Sequence, residues 1–210
     1  MTTESTDQGR AIAGPVAELL EPDFNLLVST HPFAPGRARR EIADRLRSVT
    51  GAAPDAIPNL ARGIFAVKVA LDPREVVRRL RALCERRPRA FHYTLKWVPV
   101  DRWARAELQA MKEAIAQLRQ KIGPNETWRM TFERRTITTG LDPSWLIRSL
   151  AELIDAKVDL SHPDKVVLAQ LFDGWVAFSI VAPNEVFSVV KYGGPPGGAE
   201  GANTAGRGSV

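Results

Sequence analysis

The first part of the chain alternates between two hydrophobic periodicities. Four stretches have the continuous or alternating apolar pattern of strands, at Phe24–Thr30, near Ala56–Leu60, at Gly63–Leu71 and at Phe91–Val100. Between them, apolar residues three and four positions apart predict helices at Arg37–Val49 and from Asp72 to about Glu85. The resulting order, β-α-β-β-α-β, is that of a ferredoxin-like fold.

A second unit is predicted after a boundary near Pro99–Arg102. A long helix over about Ala104–Ile122 is followed by an alternating strand at Thr127–Arg134. Asp142-Pro143 predicts another helix start. An aspartate side chain can accept hydrogen bonds from the free amides of the first helical turn, and proline is favoured at the first helical position. Asp173-Gly174 predicts a hairpin turn between two further strands, Lys165–Phe172 and Trp175–Val181. The outline of this unit is α-β-α-β-β, which makes the fold class α+β.

These patterns divide the chain into four segments. Both ends are too polar, or too rich in glycine and proline, to offset the entropy of ordering them. The predicted segments are a disordered tail at 1–20, a ferredoxin-like domain at 21–102, the second domain at 103–192 and a disordered tail at 193–210.

The positive charge is concentrated in one part of the chain. The net charge is +5, yet residues 36–102 alone hold sixteen basic residues against seven acidic ones. Such a concentration favours a polyanionic partner, although a solvated arginine-rich surface would give the same composition. No apolar run is long enough to span a membrane, and no secretory leader is evident. Together with a single cysteine, Cys84, these features predict a cytoplasmic protein without a membrane partner.

A search for reactive groups returns no catalytic pattern. The three histidines do not combine with cysteine or with each other at metal-ligand spacing, and no nucleophile or phosphate-loop motif is present. The sequence therefore predicts no enzyme, no cofactor and no metal site. The one alternative is a polar site formed by Asp159, His162 and Asp164, for which a turn held by Asx-type hydrogen bonds is the favoured interpretation.

Cationic residues in several places could contact RNA. The first helix has an arginine-rich face, and a second arginine cluster follows in the next helix. Arg134-Arg135 leads into Thr136–Gly140 just before a predicted helix start, where amides and hydroxyls can hold phosphate. Among the tryptophans, Trp145 is predicted to lie in the core, and Trp97 and Trp103 are predicted to be buried at the boundary between the units.

Three stretches resemble THUMP domains, which typically follow a ferredoxin-like domain. These are FHYTLKWVPVDRW, ETWRMTFERR and, most specifically, KVDLSHPDKVVLAQLFDGWVAFSIVAPNEVFSVVK. The resemblance extends over about Phe24 to Lys191. It implies tRNA binding through the acceptor stem and 3′ end, in a chain that presents tRNA to a separate modifying enzyme.

The resemblance also implies a partner and a basic surface. Stand-alone relatives act as adaptors of tRNA cytidine acetyltransferase, which forms N4-acetylcytidine in the D-arm of serine and leucine tRNAs. Adaptors for methylation or thiolation enzymes remain an alternative. The RNA-binding residues carried over from the family are Lys96, Arg129, Arg134, Arg135, Lys157, Lys165 and Lys191.

Overall fold

The computed structural model describes residues 22–136 and 142–193, and the backbone of 208–209. The strands are β1 (Leu26–Thr30), β2 (Asn59–Ala61), β3 (Ile64–Val67), β4 (Thr94–Pro99), β5 (Arg102–Arg105), β6 (Trp128–Arg134), β7 (Lys165–Leu171), β8 (Trp175–Val181), β9 (Phe187–Ser188) and β10 (Gly208–Ser209). The α-helices are α1 (Pro35–Thr50), α2 (Pro73–Arg86), α3 (Leu108–Leu118) and α4 (Pro143–Ala151). None of these described helices is long and apolar enough to cross a membrane.

The first sheet has the predicted ferredoxin-like topology. Its order is β2-β3-β1-β4-β9, with every pair antiparallel, and α1 and α2 supply the connections after β1 and β3. The side chain of Asp72 accepts hydrogen bonds from the amides of Arg74 and Glu75, as the Asp-Pro sequence predicts. At the end of α1, Gly51 takes the left-handed conformation that closes many helices.

The second sheet combines one parallel pair with three antiparallel pairs. Its order is β10-β6-β7-β8-β5, in which only β6 and β7 run parallel. A parallel pair requires a crossover, and α4 lies in the crossover between these two strands. The side chain of Asp142 caps α4 by accepting a hydrogen bond from the amide of Ser144. The α+β class is confirmed.

The two sheets pack face to face and the helices cover the outer faces. One core cluster contains residues of both sheets, whereas α1 and α2 pack on the first sheet and α3 and α4 on the second. Trp103 is 7% exposed within the shared cluster and donates its indole N–H to the carbonyl of Phe24 at 2.7 Å. The prediction of burial between the units is confirmed for Trp103, whereas Trp97 is buried in the core of the first unit.

Two strands differ from the sequence prediction. Residues 102–105 form β5 along β8, so the predicted helix over Ala104–Ile122 begins only at Leu108. The short β9 belongs to the first sheet, where Phe187 pairs with Trp97, although the predicted domain boundary assigns it to the second unit. Both differences arise from pairing with distant strands, which a local pattern does not contain.

Asp101 lies at the junction between the two sheets. Its side chain is 3% exposed and accepts two hydrogen bonds from the Arg74 guanidinium, at 2.8 and 3.0 Å. It also accepts from the ammonium group of Lys121 at 2.6 Å and from the amide of Ile180 at 2.7 Å. Helix α2, the end of α3 and β8 are thereby joined through one carboxylate.

The predicted tail at 1–20 and most of the tail at 193–210 lie outside the described residues. Within the second segment, however, Gly208 and Ser209 pair with Phe132 and Thr131 of β6. This short strand replaces part of the predicted disordered tail.

Candidate nucleic-acid interface

The seven predicted RNA-binding residues do not form one cluster. Arg134 and Arg135 lie at the carboxyl end of β6, whereas Lys157 and Lys165 lie near the amino ends of β6 and β7. The seven residues of β6 separate these two ends by about 20 Å. Lys96 lies on β4 of the first sheet, and Lys191 lies on a 3₁₀ helix, Val190–Tyr192, that packs on the core of the first unit.

Lys96 and Arg135 belong to an inter-sheet polar cluster that also contains Glu133 and Gln170. The Lys96 ammonium lies 3.6 Å from one carboxylate oxygen of Glu133, and the Arg135 guanidinium forms an ion pair with the other. Arg135 also donates to the Gln170 side-chain oxygen at 2.7 and 2.9 Å. Glu133 is only 12% exposed, so the charges of Lys96 and Arg135 compensate the charge of a mostly buried carboxylate. Their contact with RNA stays a prediction.

The side chain of Arg134 is exposed, and this residue lies two positions before the end of the described range 22–136. Most of the predicted phosphate-holding segment Thr136–Gly140 lies outside the described residues. On the far side of that gap, Trp145 is 45% exposed, so the prediction that it is a core residue is wrong. The sequence does contain a signal for this, since the residues three, four and seven positions further along α4 are Arg148, Ser149 and Glu152.

The cations near the amino end of β6 have local partners. Lys165 lies 3.6 Å from the carboxylate of Glu126, and Arg129 donates to the carbonyl of Leu160 at 3.0 Å. Lys157 is exposed, as is Lys191 on the 3₁₀ helix Val190–Tyr192. Exposure leaves both lysine side chains accessible to a phosphate.

The alternative polar site consists of a turn at Asp159 and a separate contact between Asp164 and Thr127. Asp159 accepts hydrogen bonds from the amides of Ser161 and His162, both at 2.8 Å, as an Asx-type turn requires. The amide of His162 and then that of Ser161 lower the pKa of Asp159. Asp164 accepts from the amide and the hydroxyl of Thr127, which lower its pKa in the same way. Both carboxylates therefore stay ionised and hold backbone in place. The described ranges contain no cluster of metal-binding side chains.

A basic cleft on the first unit was not predicted as a site. It has a volume of about 450 Å³ and lies between α1 and the segment that enters β4. Four arginines line it, three of them from α1 and one, Arg89, from the 3₁₀ helix Pro88–Ala90. The sequence shows the arginine-rich face of α1, but only the fold brings Arg89 opposite to it. The lining residues are Arg37, Arg40, Glu41, Asp44, Arg45, Arg89, Ala90, His92 and Tyr93.

Similar proteins were found only by comparison of structures. No protein-family model matches the chain, and no curated protein sequence matches it significantly. PH1313 from Pyrococcus horikoshii Ot3 has a TM-score of 0.58 and 14% identity, over 79% of this chain and 55% of that one. TrmN from Thermus thermophilus has a TM-score of 0.50 and 12% identity, over 74% and 44% of the two chains. A predicted N6-adenine-specific DNA methylase from Listeria monocytogenes has a TM-score of 0.50 and 8% identity, over 75% and 40%.

These matches concern the fold and correct one prediction. The chain has a THUMP-like fold and spans about half the length of the solved proteins it matches. Because the same arrangement forms part of TrmN and of a predicted methylase, the fold is associated with enzymes. The prediction that the chain is not an enzyme is therefore wrong, because absent motifs do not separate this chain from proteins such as the predicted methylase that contain the same arrangement.

Proposed function

We propose that the chain binds tRNA through its acceptor stem and 3′ end and presents it for chemical modification. The observation that carries this proposal is a THUMP-like fold whose described surface holds exposed cations on both units. Cations on a rigid scaffold position a nucleic acid by contacting phosphates, independently of base sequence. The names of TrmN and of the predicted methylase agree with a role in nucleic-acid modification.

Binding to tRNA is tested by a gel-shift titration of the full chain at several salt concentrations. The ligands are an intact tRNA, the same tRNA without its single-stranded 3′ end, and an unrelated RNA hairpin. The proposal expects the intact tRNA to bind at least tenfold more tightly than the other two, with affinity falling steeply as salt rises. Equal affinity for all three ligands would leave only a general attraction to polyanions.

The finer proposal names tRNA cytidine acetyltransferase as the partner enzyme and N4-acetylcytidine in the D-arm of serine and leucine tRNAs as the product. It is supported by the THUMP resemblance along Lys157–Lys191. Methylation or thiolation of tRNA is an alternative of similar strength. Deletion of the gene, followed by mass spectrometry of tRNA nucleosides, separates them, because one modification alone should disappear.

Among the carried-over residues, Arg134 offers the clearest test. Its exposed side chain can meet a phosphate, whereas Arg135 also holds Glu133 and Gln170 inside the polar cluster. Arg134→Glu is expected to weaken tRNA binding about tenfold, and thermal unfolding of the variant verifies that it folds. Arg102→Glu, a charge reversal at an exposed position on β5, is the matched control.

A further inference from the structure

The basic cleft is an ordered feature of the fold, because a buried carboxylate holds its two walls together. Glu41 of α1 is 7% exposed and accepts hydrogen bonds from the amides of His92, Tyr93 and Thr94, at 2.8 to 3.2 Å. The hydroxyl of Thr94 donates to it as well, at 2.7 Å. Four donors therefore engage this acid, which fixes the entry to β4 against α1.

The arginines of the cleft are not neutralised by nearby acids. The side chains of Arg40, Arg45 and Arg89 make no hydrogen bond or ion pair with a described residue, and the Nε atom of Arg45 is buried without a partner. Asp44, the second acid in the lining, pairs with Arg47 outside it at 3.5 Å. The cleft consequently presents a net positive surface with unused donors.

Other arginines on the same unit behave differently. Arg78 and Arg79 of α2 both bind the carboxylate of Glu75, at 2.6 to 2.7 Å. Arg39, on the same helix as the cleft arginines, donates to the carbonyl of Ile57. Arg62, Arg81 and Arg87 of this unit lie outside the cleft and also make no side-chain hydrogen bond or ion pair with a described residue, so what distinguishes Arg40, Arg45 and Arg89 is that all three line one cleft.

An exposed aromatic ring lies in the loop that precedes α1, the helix that forms one wall of the cleft. Phe33 is 82% exposed and precedes α1, four residues before Arg37. The guanidinium of Arg62 lies 5.3 Å from the centre of its ring. The amide of His31 donates to the Tyr93 carbonyl, and Arg37 donates to the Tyr93 hydroxyl at 3.3 Å. These two bonds hold both ends of the loop that contains Phe33 against Tyr93, which lines the cleft. A ring in this position can stack on an unpaired base.

We propose that this cleft binds the sugar–phosphate backbone of an RNA strand, and that Phe33 stacks on an unpaired base beside it. Guanidinium groups match phosphate in geometry and charge, and single-stranded nucleic acids are commonly bound by a positive groove with aromatic rings. The inference rests on the proposed tRNA binding and deepens it by placing a second contact on the ferredoxin-like unit. An acidic protein segment would use the arginines but not the aromatic ring.

The test compares two double variants of the full chain that lose the same charge. Arg40→Gln with Arg89→Gln removes cleft donors, and Arg102→Gln with Arg119→Gln removes two exposed arginines outside the cleft. The cleft variant is expected to bind tRNA at least tenfold more weakly, with a slope of log affinity against log salt that is lower by about two. The matched control should change affinity less than about threefold. Equal melting temperatures verify that both variants fold.

Phe33→Ala tests the stacking contact. It should weaken binding of a tRNA with a single-stranded 3′ end about fivefold or more, and binding of a blunt duplex far less.

The possible results separate the two proposals. The proposal that the cleft binds RNA is overturned if the cleft variant binds tRNA as tightly as the unchanged protein. It is also overturned if the control variant weakens binding equally. Neither result contradicts tRNA binding by the chain as a whole. Equal loss for both ligands with Phe33→Ala overturns the stacking contact. If the unchanged chain does not bind tRNA, it is the proposed function that fails.

Discussion

The carboxylate of Asp101 offers the sharpest test of how the two units are held together. Asp101→Asn keeps the shape of the side chain but removes the charge that faces Arg74 and Lys121. Removal of one partner from a buried ion pair costs about 3–5 kcal/mol, because the remaining charge loses its compensation. Arg74 and Lys121 are 24% and 41% exposed and can regain some water, and Arg74 keeps its ion pair with Glu185 at 3.3 Å, so we expect the lower end of this range, about 3 kcal/mol.

The assay is thermal unfolding at pH 7, followed by circular dichroism. For a domain of this size, about 3 kcal/mol corresponds to a fall in Tm of roughly 6–12 °C. Asp55→Asn, at an exposed aspartate, is the matched control and should move Tm by less than about 2 °C. A shift for Asp101→Asn no larger than that of the control would show that the junction contributes little to stability.

The pH dependence gives an independent check. Burial alone would raise the pKa of Asp101, but hydrogen bonds from Arg74, Lys121 and the amide of Ile180 outweigh it, and the pKa lies below its usual value. Since the folded pKa is the lower one, the stabilisation is complete above the unfolded pKa of about 4 and is lost as pH falls through the folded value. The difference between Asp101→Asn and the unchanged chain should shrink below about pH 4. A constant difference down to pH 3 would contradict the assignment.

Three further predictions concern the first unit. Glu41→Ala should lower the free energy of unfolding by about 3 kcal/mol in urea titration, because it leaves three amides and a hydroxyl without their acceptor; a loss below about 1 kcal/mol would mean that water replaces the carboxylate. Carboxyl NMR titration should give Glu75 a pKa of about 2, since hydrogen bonds from Arg78 and then Arg79 lower it; concentrated salt should move that pKa upward, and no movement would argue against ion pairing. Gly63→Ala should destabilise the protein more than Gly51→Ala. Both glycines have positive φ, but only at Gly63 would a Cβ atom contact the backbone, where the carbonyl oxygen of Thr30 lies at 2.8 Å. Equal losses of stability in urea titration would contradict this steric argument.

The order of elements in the first unit could be predicted because local signals and tertiary structure agree there. Asp72-Pro73 starts a helix because the aspartate side chain caps the amides of the first turn. The apolar positions of α2 are those that the core buries. By contrast, β5 is four residues long and joins directly to a helical pattern, so only its pairing with β8 makes it a strand. Strand β9 has two residues, and no local sequence signal indicates that Phe187 will lie beside Trp97.

The candidate site shows the same division. Which residues are basic is evident in the sequence, but which cations are compensated depends on contacts between the sheets. Lys96 and Glu133 lie far apart in the chain and meet only because the two sheets pack face to face. The cleft likewise depends on the approach of Arg89 to α1, which the buried carboxylate of Glu41 secures.

The pairing of β9 with β4 has a consequence for synthesis of the chain on the ribosome. Strand β4 is complete at Pro99, yet its outer edge is covered only when Phe187 and Ser188 have been added. At a synthesis rate of about 5–20 residues per second, the edge of β4 remains unpaired for roughly 5 to 20 seconds, and during that time it can pair with other strands. A fragment that ends at the boundary near residue 102 would keep that edge permanently open, and it would also lack Phe187 and Val189 from its core. An isolated ferredoxin-like unit therefore needs residues 187–192 supplied in the same polypeptide, and a clean truncation at the apparent boundary should yield an aggregating product.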